Sequence, residues 1–152
     1  MIVSRGLLHV NLNVAEAERS IGFYCNALGF EVVSDSSEIQ DIGSGGEDVR
    51  QVILTVPNTG TILALTQANS LPVGAAGLNH LGLVVGSDAD VASVLEGVEA
   101  HGGSVIRHGD RGTANLGEAF AYVRDPDGYA IEVATQAILY ADFRESQPGV
   151  RT

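Results

Sequence analysis

Of 152 residues, 45% are hydrophobic and 18% charged, a balance that suits one well-buried globular core. Eight basic residues, all of them Arg, face nineteen acidic ones for a net charge of −11. The chain therefore has no basic face for DNA or RNA, no Lys for Schiff-base chemistry and no GxxxxGKS phosphate loop, which leaves a small-molecule or protein partner. No apolar run is long enough to span a bilayer, and MIVSRGLLHVNLN lacks the order of a signal peptide. A single cysteine, Cys25, rules out an intramolecular disulfide, so the expected setting is cytoplasmic, with no membrane or nucleic-acid partner.

In chain order, LLHVNLNV reads as a strand, AEAERSIGFYCNAL as a helix with Ala17, Ile21, Tyr24 and Leu28 on one stripe, and GFEVV as a second strand. Further strands are expected at 49–56 and 61–67, with 35–48 as a long hairpin loop. The pattern then repeats: LNHLGLVV, a helix with Val91, Val94, Leu95 and Val98 inward, and strands at 104–107, 118–124 and 129–135. His80 stands where His9 stood, 71 residues on. Ser87 and Asp90 resemble a capping box, and Gly29 and Gly102 suit left-handed helix ends. The expected architecture is α+β: one domain over 1–136 built of two βαβββ modules (6–68 and 77–136), with a C-terminal tail at 137–152.

Strand alternation sorts the polar atoms. In the first strand Leu8, Val10, Leu12 and Val14 share the packed face, so His9, Asn11 and Asn13 share the other and read as cleft residues. Likewise Ile131 and Val133 face the core, which turns Glu132 toward the side of His80 and Gly82. A carboxylate in an AIEVA strand needs a cation, and His9, His80 and Glu132 together form the ligand set of a divalent metal with open positions. The turn Asp125-Pro126-Asp127-Gly128 predicts a three-residue hairpin loop with a G1 bulge, which sets Tyr122 directly across from Glu132 as a candidate general acid/base. Cys25, Phe23 and Phe30 read as packing, His101 as a helix-end surface residue, and Glu16, Glu18, Glu96 and Glu99 as helix exteriors.

The paired βαβββ units, with ERSIGFYCNALGFEVV after a His-bearing strand, LNHLGLVV and FAYVRDPDGYAIEV, resemble the vicinal oxygen chelate superfamily of glyoxalase I, extradiol dioxygenases, fosfomycin thiol transferases and bleomycin-binding proteins. The resemblance implies curved sheets forming a cleft around one metal, often in a homodimer, and carries the metal-ligand positions onto His9, His80 and Glu132. The fourth ligand position of glyoxalase I falls on Ala64 or Leu63, neither of which binds metal. Among two-His, one-Glu families it implies a dioxygenase-like oxidoreductase acting on a catechol- or enol-like substrate, with Fe(II) first and Mn(II) second. Tyr122 then contacts substrate, and His108 in the loop RHGDRGTANLG hydrogen-bonds a substrate hydroxyl. The second-sphere His of catechol dioxygenases would fall near Leu65 or Gln67 and is absent. The alternatives are an antibiotic-sequestering protein of the bleomycin-resistance type, a glyoxalase-like lyase or isomerase, and a fosfomycin-type transferase. In the last of these only Arg107, Arg111 or Arg124 could hold a phosphonate.

Overall fold

In the computed structural model the chain is described over residues 7–40, 45–110 and 119–135. Its elements run β1 (Val10–Asn13), α1 (Ala17–Leu28), β2 (Glu31–Gln40), β3 (Asp48–Thr55), β4 (Ile62–Gln67), β5 (Leu81–Val85), α2 (Asp88–Val98), a 3-10 turn (Glu99–His101), β6 (Ser104–Asp110), β7 (Ala119–Arg124) and β8 (Ala130–Thr135). They form two four-stranded mixed sheets, ordered β1-β4-β3-β2 and β5-β8-β7-β6, so the α+β pattern occurs twice. In each sheet the first strand pairs parallel to the fourth and lies at one edge, and the second lies at the other. Among the described residues no helix is long and apolar enough to cross a membrane. Two expected boundaries move. The segment 35–40 continues β2 and pairs with β3 down to Asp48, and β6 runs past Arg107 to Asp110. Arg111 and the tail at 137–152 lie outside the described residues.

The helices stop where the glycines stand. Gly29 (φ 71°) and Gly102 (φ 84°) adopt the left-handed conformation, and the Gly29 N–H donates to the Tyr24 carbonyl. Ser87 caps α2 by accepting from the Asp90 N–H. Glu16 gives α1 no side-chain cap. Its N-terminal donors are met from a distance: the Ala17 N–H donates to Gln67 Oε1 at 2.6 Å and the Ala15 N–H to Asp127 Oδ1 at 3.3 Å.

The second of these contacts belongs to a lock between the halves. The Asp125–Gly128 turn closes with a Gly128 N–H to Asp125 carbonyl bond at 3.1 Å and Gly128 at φ 90°, the hairpin geometry expected of its sequence. It then plugs into the first half. Asp127 accepts from Arg19 at 2.7 Å and from Ser20 Oγ at 3.1 Å, the Tyr24 hydroxyl donates to Asp125 at 2.8 Å, and the Tyr129 hydroxyl donates to the Asn13 carbonyl at 2.9 Å. Burial pushes the Asp125 carboxyl above its ordinary value despite bonds from Tyr24 and from the Tyr129 and Asp127 N–H groups. Burial, then the nearby Asp125 charge, pushes the Tyr24 phenol well up.

Phe23 and Tyr24 meet edge to face and are fully buried with Val52, Leu54, Val98, Val123, Ile131 and Val133. Phe23 rests on Gly103, where an added Cβ would strike the Phe23 ring and stand 2.5 Å from the Arg124 carbonyl. Glycine is required there by space, because the helix of one half packs onto the backbone of the other.

Candidate functional site

Cross-strand register assembles the site. Gly82 on β5 lies opposite Glu132 on β8, Glu132 opposite Tyr122 on β7, and Tyr122 opposite Arg107 on β6. The Tyr122–Glu132 pairing is the one the turn sequence foretold. Successive strands stand about 4.8 Å apart, so these four residues form one continuous row across the sheet. His80 immediately precedes β5 and reaches over the row, with its Nε2 3.2 Å from Glu132 Oε2. Its ring meets the Tyr122 ring edge to face at 5.6 Å.

Glu132 is buried, so a charge there needs a partner. The imidazole supplies one when protonated, and a divalent ion between Nε2 and the carboxylate would supply a stronger one. His80 Nδ1 lies 2.6 Å from Asn79 Oδ1. With Nδ1 donating a hydrogen bond to that oxygen, a neutral His80 would turn its Nε2 lone pair toward Glu132, as in metal-ligating histidines held by an outer hydrogen bond. The donor set here therefore fits a metal. Asn79 was not singled out from the sequence, although an amide directly before a candidate ligand was a visible signal.

The other expected residues sort differently. His9 and His80 line the same cavity of about 510 Å³, together with Leu8, Val10, Leu63, Gly82 and Ile131. His9 nonetheless does not join the His80–Glu132 pair, since among the described residues no three His, Cys, Asp or Glu side chains form a metal-sized group. Asn11 and Asn13 do not line this cavity. Asn13 donates to the Pro72 carbonyl at 3.0 Å in the segment between β4 and β5, and Asn11 accepts from Thr66 Oγ1 of β4 at 2.9 Å.

His108 is a correction. It lies within β6, opposite Ala121, one residue out of phase with the Arg107–Tyr122 pair. Strand alternation directs it to the face opposite Tyr122, so it is not placed to touch a substrate held by His80 and Glu132. Cys25 is half-buried with its thiol pushed up by burial and by Glu31, which fits packing.

The first half shows what this site lacks in its twin. Ser34, Ile53, Ala64 and Asn11 form the equivalent row in the first sheet. Ala64, not Leu63, therefore stands at the position equivalent to Glu132.

The sequence matches the family model for the Glyoxalase/Bleomycin resistance protein/Dioxygenase superfamily over residues 6–133. The chain belongs to this superfamily. It is 33% identical over 134 residues to lactoylglutathione lyase from Salmonella typhimurium, a match covering 84% of this chain and 90% of that protein. It is 28% identical over 134 residues to catechol-2,3-dioxygenase from Bacillus subtilis, covering 88% of this chain and 40% of that protein. Its fold matches a mutant of the fosfomycin resistance protein FosX from Listeria monocytogenes, solved with Mn(II) and 1S,2S-dihydroxypropylphosphonic acid, at a TM-score of 0.67 and 16% identity, covering 95% of this chain and 100% of that one. Named relatives thus include both lyases and a dioxygenase.

Proposed function

We propose that this vicinal oxygen chelate protein is a divalent-metal-dependent enzyme in which His80 and Glu132 hold the ion and His9 is the third donor. Fe(II) is the first expected metal and Mn(II) the second. The reading rests on one observation: His80 Nε2 lies 3.2 Å from the buried Glu132 carboxylate while Asn79 holds Nδ1. When bound, such an ion would offer open positions for adjacent oxygens of a small substrate. Tyr122 lies in register with Glu132 and against the His80 ring, where its phenol can hold or deliver a proton at a substrate oxygen.

Ala64 supports a dioxygenase-like oxidoreductase acting on a catechol- or enol-like substrate. With alanine in place of a carboxylate, the first half supplies neither a fourth ligand nor a base for proton shuttling. The names of the lyase relatives favour the second reading, isomerisation of a glutathione adduct. Oxygen consumption with catechols and lactoylglutathione formation from methylglyoxal and glutathione, measured on protein loaded with Fe(II), Mn(II) or Ni(II) under controlled oxygen, separate the two. Turnover only in the second assay would overturn the oxidoreductase reading.

The proposal includes a homodimer. Among the described residues β1 and β5 are each paired on one side only, and Leu7 and Leu8 before β1 and Val84 within β5 lie exposed at 82%, 75% and 48%. A second copy seated on these edges would bring its own His9 to the His80–Glu132 pair. Mixing inactive His9→Ala and Glu132→Ala proteins tests this, since shared sites restore about a quarter of wild-type activity in a random mixture of dimers and sites within one chain restore none.

A further inference from the structure

Arg107 has no assigned role in the metal-binding reading, yet it is the fourth member of the row. A bulge puts it there. Val105 pairs with Val123, but Tyr122 pairs with Arg107, so Ile106 is the extra residue. Without that bulge the apolar Ile106 would face Tyr122, and Arg107 would fall on the opposite face. As built, the guanidinium lies over two rings, 5.4 Å from the centroid of Phe120 and 5.5 Å from that of Tyr122. The rings brace each other edge to face at 5.9 Å.

Among the described residues no carboxylate pairs with Arg107. Arg50 and Arg19, by contrast, are held at 2.7 Å by Asp35, Glu18 and Asp127. In a chain of net charge −11, an arginine that meets two aromatic faces and, among the described residues, no carboxylate presents its donor fork to a ligand. Tyr122 separates it from His80, lying within 5.6 Å of both the guanidinium and the imidazole. At the far end of the row Gly82 leaves open space, because an added Cβ there would meet nothing within 4 Å.

We propose that Arg107 is an anion-binding specificity residue and that the substrate is a small acid. Its adjacent oxygens lie over Gly82 and Glu132, and its carboxylate reaches across the Tyr122 ring to the guanidinium. This deepens the metal-enzyme reading and rests on it for the placement of the chelating end. The anion end depends only on Arg107, Phe120 and Tyr122.

The probes are 3,4-dihydroxybenzoate and its neutral counterpart catechol, titrated by calorimetry into metal-free and Mn(II)-loaded protein at fixed ionic strength. Wild type should bind the acid about 10- to 100-fold more tightly than catechol, the range expected for a charge-assisted, forked hydrogen bond. Arg107→Gln should remove that preference without changing the affinity for catechol, and Arg107→Lys should restore only part of it. Arg124→Gln is the charge-matched control: Arg124 bonds the Gly128 carbonyl at 3.0 Å, so its loss should leave the preference intact. Equal binding of the two probes by wild type, or a preference that survives in Arg107→Gln or falls equally in Arg124→Gln, would overturn the proposal. A preference for the acid that Arg107→Gln abolishes, with neither probe bound more tightly when Mn(II) is present, would keep the anion site and remove the metal reading.

Discussion

The two halves use one backbone lattice for opposite ends. In each, a row crosses four strands in the same register, and each row follows a bulge, at Val33 in the first half and Ile106 in the second. The first row reads Ser34, Ile53, Ala64, Asn11, and the second Arg107, Tyr122, Glu132, Gly82. The first holds no ionisable group, and the second holds a cation, a phenol and a buried carboxylate. The bulge thus occurs in both modules, and side-chain identity at equivalent lattice points decides which row carries ionisable groups.

The contrast between Glu132 and Ala64 carries the largest expected effect. Glu132→Ala should lower affinity for Mn(II) by more than about 100-fold, above the range for loss of an outer-sphere partner, as measured by competition with a fluorescent chelator. Ala64→Gly should leave that affinity within about twofold, since mutations without a shared partner act independently. Equal losses would break the asymmetry.

A second contrast concerns the residues before the two histidines. Asn79 holds His80, whereas its counterpart Leu8 is exposed and carries no acceptor for His9. Asn79→Ala should weaken Mn(II) binding by about 10- to 100-fold, while Leu8→Ala should leave it unchanged if both proteins dimerise equally. Sedimentation of both variants supplies that check.

The next contrast is one of packing. Phe30 follows Gly29 in the first half, where Gly103 follows Gly102 in the second. Gly103→Ala forces a methyl group into the Phe23 ring and against the Arg124 carbonyl, and should cost about 1–3 kcal/mol in denaturant unfolding. A neutral result would show that α1 can slide on the second half.

The smallest effect comes from the hairpin turns. Val56–Thr61 borders the cavity, whereas Asp125–Tyr129 locks the halves together. Because burial raises the Asp125 pKa above 3.8, the folded chain holds that proton to higher pH than the unfolded chain. Its contribution is fully present below the unfolded value and is lost as pH rises through the raised folded value. Wild-type stability relative to Asp125→Asn should therefore fall across that window and be flat above it, as followed by urea unfolding at a series of pH values. A difference that rises with pH would reverse the assignment.

Much of this was legible in the sequence because the governing physics is local. Helical spacing, the Gly29 and Gly102 stops and the Ser87 cap depend on residues within one turn. The Asp125–Gly128 turn fixes hairpin register, and with it the meeting of Tyr122 and Glu132. His108 and Arg107 were not legible, because a single bulged residue shifts strand phase by one and exchanges the faces of everything beyond it. The partners of Asn13 lie outside such local rules, and so does the placement of His9.

The sequence by itself determined the duplicated βαβββ order, the helix ends and the pairing across the last hairpin. Tertiary structure alone decided that α1 docks on the second half through Gly103 and Asp127, that Arg107 shares a face with Glu132, and that His9 lines the cavity of His80 without joining its carboxylate. The physical reason is range. Backbone hydrogen bonds and turn conformations are set by near neighbours, whereas the distance between groups on different modules is set by how whole sheets and helices pack.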